Sequence, residues 1–309
     1  MKRTISLIIA VAVMVAMFIV PVSADAITLE NASDLATEGG EWILEDDLTS
    51  NGAEINLAAD TYVIDLNGYE FKTRLVIPDG ADVTIKDTSA EKGVIDATGI
   101  NDAIDIKGGT VVLDGIKVIG AEGSGDGIFI SGNADVTIKN CDLTGGKVGL
   151  DITSAEATVV VENTTFSDFD ETGLAKDPNG RNASIELRAN ATVTLNGANV
   201  FDVATVIARK ETHTESFENS FSFGTDVEAS FSEASDIANG AYSAATITYA
   251  YNGETTSTPS TPSTPSTPST PNQGTNNNNN ADTGDFMSLV IVVAAAALVV
   301  TVLSKKRAF

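Results

Sequence analysis

The sequence predicts an all-β solenoid: short parallel strands wound into a coil, each turn pairing with the one above it. Three observations predict it. Five stretches of eight residues fall into common columns: 64–71 (IDLNGYEF), 111–118 (VVLDGIKV), 136–143 (VTIKNCDL), 159–166 (VVVENTTF) and 193–200 (VTLNGANV); a sixth, 83–88 (VTIKDT), matches over its first six positions. The fifth column holds only Gly68, Asp87, Gly115, Asn140, Asn163 and Gly197. These residue types accept a left-handed backbone at low cost and can bend one strand into the next. The unit starts lie 19, 28, 25, 23 and 34 residues apart, within the spacing of repeat folds.

Within each unit, columns one and three are aliphatic, as in a strand with one face buried. Columns six and eight, just past the bend, are mostly apolar or small: Tyr69, Thr88, Ile116, Cys141, Thr164 and Ala198, then Phe71, Val118, Leu143, Phe166 and Val200. Both columns are expected to point into a shared interior. A second short strand precedes most units, marked by Leu75 and Ile77, Ile104 and Ile106, Ile128 and Ile130, Leu150 and Ile152, and Ile185 and Leu187. A single turn cannot bury its inner face, so the array is stable only as a stack with covered ends. Residues 27–60 are expected to supply the first rung and a cap, with Trp42, Ile43 and Leu44 packing over the open end; Phe217, Phe221, Phe223 and Phe231 are expected to close the other end.

The columns from about residue 40 to 203 resemble the right-handed parallel β-helix of the pectate-lyase-like superfamily. Asn140 and Asn163 stand where that fold often stacks an asparagine ladder. A β-sandwich would also alternate its strands, but it would not place equivalent residues at corresponding bends.

The rest of the chain reads as addresses and a spacer. Residues 1–24 have a basic start at Lys2 and Arg3, an apolar run from Ile5 to Val20, and small residues at Ser23 and Ala24. This is the pattern of a secretory signal peptide; an uncleaved anchor is the alternative. Residues 25–253 form the β-helix domain. Residues 254–280, with STP repeats followed by asparagines, cannot bury a core and read as an extended, disordered stalk. Residues 281–309 carry an apolar run from Phe286 to Leu303 and then Lys305, Lys306 and Arg307. The run is long enough for one transmembrane helix, with the basic cluster on the cytoplasmic side.

The tail, a polar motif before an apolar run and a basic cluster, resembles the cell-wall sorting signal of Gram-positive surface proteins. The motif reads Asn280, Ala281, Asp282, Thr283, Gly284, without the family's leucine and proline in its first two positions. The resemblance implies that a sortase transpeptidase attacks the Thr283 carbonyl and joins it to the cell wall, with membrane attachment only before processing. A plain membrane anchor is the alternative.

The chain has 18 Lys and Arg against 43 Asp and Glu, for a formal net charge of −25. Removing both terminal addresses would take away five bases and one acid. Such a surface repels nucleic acid, whose binding requires basic residues at the phosphates. Cys141 is the single cysteine, so an exported chain has no internal disulfide, and the residue reads as buried filler.

Chemistry-bearing residues are sparse. Asp102, Asp105 and Asp126 resemble the acidic strip of the polygalacturonase-like branch, but the Gly-His and Arg-x-Lys steps of that branch do not follow them. The longest insertion, 167–183, is the candidate binding loop, with Asp168, Asp170, Glu171, Lys176, Asp177 and Arg181; loops on rigid scaffolds carry function. It lacks the regularly spaced oxygens of a calcium loop, so no cofactor is expected and calcium is only a minor alternative. The sequence thus predicts a secreted, surface-displayed β-helix that acts as an adhesin or binding module for a glycan or protein ligand. A wall-bound polysaccharide lyase or hydrolase using Asp102, Asp105 or Asp126 is the second reading, and a passive surface-coat component the third.

Overall fold

The computed structural model describes residues 27–121, 125–167 and 182–253. Over these residues the chain is a β-solenoid of about seven turns with almost no helix. Each turn runs through three parallel sheets, and each strand pairs with its equivalents in the turns before and after. The first sheet contains the predicted Leu75/Ile77-type strands, stacked in register from Leu48–Asn56 to Thr205–Arg209. The second contains the column one-to-three strands, from Gly40–Ile43 to Phe221–Phe223. The third takes the residues after the bend, from Glu70–Ile77 to Val200–Phe201. Ile104–Asp114 and Asp126–Lys139 are single strands that cross from the first sheet into the second.

The interior is filled by vertical files of like residues. Leu75, Ile104, Ile128, Leu150, Ile185 and Val206 form one file and Ile77, Ile106, Ile130, Ile152, Leu187 and Ala208 another, all buried. Alternation puts every second side chain inward, and stacked turns remove those side chains from water at about 25 cal/mol per Å² of apolar surface. The bend residues also form one file: Gly115, Asn140, Asn163 and Gly197 follow strand residues that pair with one another and have φ of 72°, 56°, 50° and 64°. Asp87, in the same file, is not among the positive-φ residues.

Three expectations change in the structure. The first unit is displaced by two residues: Tyr62 pairs with Val83 and Ile64 with Ile85, so buried Leu66 takes the place assigned to Gly68, and Asn67 and Gly68 together make the bend. The last unit carries one extra residue. Phe201 pairs with Phe166 while Val200 is 46% exposed, and Asn199 rather than Ala198 stands beside Thr164. Asn140 and Asn163 do not form an inward ladder. Both are exposed: Asn140 Nδ2 donates to Asp114 at 2.9 Å and Asn163 Oδ1 accepts the Ala198 N–H at 2.8 Å. Their side chains brace the outside of the bend while their backbones make it.

Both ends are covered. At the start, a 3₁₀ turn at Ala32–Ala36 places buried Leu35 against the core, and its carbonyl accepts the Tyr62 hydroxyl at 3.0 Å. Trp42, Ile43 and Leu44, expected to pack over the open end, instead belong to the first rung, as Trp42 pairs with Ile64 and Ile43 with Asp65. At the far end the chain reverses: Tyr242–Tyr251 pairs antiparallel with Thr205–Arg209 and with Val227–Phe231. Phe217 and Phe221 lie 5.6 and 5.1 Å from the Phe231 ring, and Phe223 lies 6.4 Å away, closing the core as predicted. Cys141 is fully buried, and burial pushes its thiol up to about 12. Among the described residues no helix is long and apolar enough to cross a membrane. The segments expected to be a signal peptide (1–24) and a stalk (254–280), the apolar run and Asn280–Gly284 lie outside the described residues.

Candidate functional site

The outward file of the first sheet mixes acids with apolar side chains, and the acids gather basic partners into a charged strip. Each inward pair encloses one outward residue, and register places Val76, Asp105, Phe129, Asp151, Glu186 and Ile207 in successive turns of one file. Asp105, Asp151 and Glu186 are nonetheless buried, as are Asp102 and Asp126 at the entry to their strands. Three of these five are the acids singled out from sequence. Asp102 and Asp126 meet directly, since Asp102 Oδ1 accepts the Asp126 N–H at 2.8 Å.

The strip has two clusters. In the first, Arg74 joins three carboxylates, with Nη2 at 2.9 Å from Asp105 and 3.8 Å from Asp102, and Nη1 at 3.0 Å from Glu54. Burial raises the Asp105 pKa, and the charge of Arg74 acts in the opposite direction. In the second, Lys147 Nζ lies 3.1 Å from Asp126, Arg188 Nε lies 2.7 Å from Glu186, and Arg188 also pairs with Asp151. The Asp126 and Asp151 carboxyls lie close enough to act on each other's protonation. Burial holds Asp151 well above the usual carboxylate range, reinforced by the charges of Glu186 and Asp126. Burial also raises Asp126, with Lys147 opposing it. For Arg188 burial works against the charge, but Asp151 and Glu186 outweigh it and raise the pKa.

Sequence reasoning missed Lys147, Asp151, Glu186 and Arg188 as members of this strip. A signal was present: Asp151 and Glu186 occupy the same place between two inward aliphatics as Asp105, in Leu150-Asp151-Ile152 and Ile185-Glu186-Leu187. The candidate loop residues Asp168, Asp170, Glu171, Lys176, Asp177 and Arg181 lie outside the described residues. Among the described residues no group of three or more His, Cys, Asp or Glu could hold a metal ion.

A second feature lies at the closing end. A shallow cavity of about 260 Å³ is lined by His213, Glu215, Phe217, Ser232 and Glu233. His213 Nε2 is 2.8 Å from Ser220 Oγ, whose proton goes to the Ser216 carbonyl at 3.0 Å. The imidazole therefore donates through Nε2–H, which ties the cap together and does not activate the serine.

Comparison with known proteins agrees with this geometry. The family model of the right handed beta helix region matches residues 79–232. No curated protein and no solved structure matches the chain. The periodic columns, the parallel register in three sheets and the family match converge, and the described chain is a right-handed parallel β-helix.

Proposed function

We propose that this protein is a surface-displayed β-helix that binds an extended glycan along its second sheet. The carrying observation is the outward face of that sheet. One file consists of Thr61, Asp82, Thr110, Asp135, Thr158 and Thr192 in consecutive turns, and the next of Val63, Thr84, Val112, Thr137, Val160 and Thr194. Successive turns in such a sheet are about 4.8 Å apart. The first file is thus a rigid row of hydroxyls and carboxylates at constant spacing, beside a second in which threonine alternates with valine, suited to a polymer that repeats its own hydroxyls and apolar ring faces. A third file, Lys86, Asp114, Lys139 and Glu162, borders it with alternating charge, and Lys139 pairs with Asp114 at 3.1 Å.

The engagement of the acidic strip favours binding over cleavage. Asp105 and Asp126 are buried and paired with Arg74 and Lys147, and a glycosidase acid must reach the scissile oxygen. The terminal sequences support display: an export leader, an extended stalk, and a sorting signal for which sortase and the cell wall are the partners.

A glycan array probed with the chain, together with a depolymerisation assay on the glycans it retains, tests this reading. Saturable retention that is lost on Thr110→Lys and Thr158→Lys, without product release, is the expected result. Product release would move the protein to the lyase or hydrolase reading. No saturable binding to any glycan or cell would leave a coat component. Mass spectrometry of wall-linked material is expected to find a C-terminus at Thr283; an intact Phe309 would instead indicate a membrane anchor.

A further inference from the structure

The closest approach of a buried amine to a buried carboxyl in the strip has a chemical consequence. The turn Gly145-Gly146 has φ of 64° and 75°, which only glycine adopts freely in succession. It brings the chain round so that the Lys147 N–H donates to the Gly125 carbonyl at 2.8 Å. Lys147 thereby lies beside the residue after Gly125, which is Asp126. Their side chains are 8% and 4% exposed, with Nζ 3.1 Å from Oδ1. The neighbouring Asp151 carboxyl is fully buried, pairs with Arg188 and acts on the protonation of Asp126.

We infer that Lys147 and Asp126 condense spontaneously into an intramolecular isopeptide bond, with the Asp151 carboxyl as the acid that assists the reaction. The ion pair first passes one proton from Nζ to the Asp126 carboxylate, giving a neutral amine and a neutral acid. The amine lone pair then attacks Cγ of Asp126. The Nζ–Cγ bond forms and a Cγ–O bond breaks. Asp151 gives its proton to the departing hydroxyl and takes one from Nζ, so it is regenerated. One water leaves, and nothing is oxidised or reduced. Burial supports the step in two ways: it disfavours the charged pair relative to the neutral amide, and it holds the reacting atoms together without competing water. Burial and the charges of Glu186 and Asp126 raise the Asp151 pKa, with Arg188 opposing, and so favour the proton-bearing form that the step requires. The product ties two successive turns through their side chains in a chain with no disulfide, so the stack cannot separate at that interface without breaking a covalent bond.

The decisive measurement is peptide mapping of the full chain after folding. An isopeptide at Lys147 blocks tryptic cleavage there and joins peptide 118–139 to peptide 140–176, at their summed mass less one water. Fragmentation should place the link on Asp126 and Lys147. A free peptide ending at Lys147, with Asp126 unmodified, would overturn the inference. So would loss of water confined to peptide 118–139. Asp126-Gly127 can cyclise to a succinimide, which also loses one water but joins no second peptide and leaves cleavage at Lys147 intact. Lys147→Arg is expected to abolish the joined species. Asp151→Asn is expected to slow its appearance by roughly 100-fold or more, the usual range for general acid catalysis. Circular dichroism checks that each variant retains its β structure. Joining at the wild-type rate in folded Asp151→Asn would overturn the role given to Asp151. Because the wild-type map carries the main result, misfolding of a variant does not remove the test.

Discussion

Replacing Gly109 by alanine tests the stacking of turns most directly. Gly109 has φ of 79°, and a Cβ built there would lie 2.0 Å from the carbonyl oxygen of Ala81, in the turn before. That oxygen also accepts the Thr110 N–H at 3.0 Å. Neither partner is a flexible side chain, so relief requires the two turns to separate locally. Gly99 has nearly the same φ, 77°, but nothing lies within 4 Å of its Cβ position. Both substitutions incur the left-handed penalty of about 1–2 kcal/mol, partly offset by about 0.4–1 kcal/mol from a stiffer unfolded chain. Only Gly109→Ala also strains a buried inter-turn hydrogen bond, worth a further 1–3 kcal/mol or so when a buried group is left unsatisfied. Gly109→Ala is therefore expected to destabilise the protein by about 2–4 kcal/mol and Gly99→Ala by about 1 kcal/mol or less. Urea unfolding followed by circular dichroism of the β signal measures both. Equal stability of the two variants would refute the claim that backbone-to-backbone contact between turns sets the register.

Three further predictions follow from buried groups. Ile138 is fully buried between Leu113 and Val161 of the adjacent turns, so Ile138→Ala should cost about 2–5 kcal/mol in urea unfolding. His213 has its pKa lowered from 6.5 by burial. The unfolded chain then takes up the proton first, so the stabilisation is present above pH 6.5 and is lost as pH falls through the lower folded value. The urea midpoint should drop between pH 7 and pH 5, and His213→Gln should flatten that dependence. Cys141, buried and with its thiol pushed up to about 12, should resist iodoacetamide in the folded protein at pH 8 and react once urea exposes it; labelling measured by mass spectrometry checks this.

Much of the rod was readable residue by residue. Ile104 and Ile106, and Leu150 and Ile152, each enclose an acidic residue, and that local pattern alone assigns them to the inside. The errors came where local pattern is degenerate. Tyr62, Ile64 and Leu66 all point inward, so a slip of two residues preserves the inside and outside of the strand. Only pairing with Val83 and Ile85 distinguishes the alternatives. At the last bend, one extra residue exchanges Val200 for Phe201, and the choice is made by a stacked contact with Phe166 at 5.0 Å between ring centroids. The acidic strip was read only in part for a related reason. Asp151 and Glu186 occupy positions that alternation assigns to solvent, and their burial and partners depend on neighbours in other turns.

The sequence by itself determined the repeat, the inward files and the left-handed bends, because each depends on residues a few positions apart and on backbone preferences that every turn restates. Tertiary structure alone decided the register between turns, the closing antiparallel strand and the meeting of Asp126 with both Lys147 and Asp151. Those depend on side chains one turn apart, 20 or more residues away along the chain, which meet only after the coil has closed and its neighbours have excluded water.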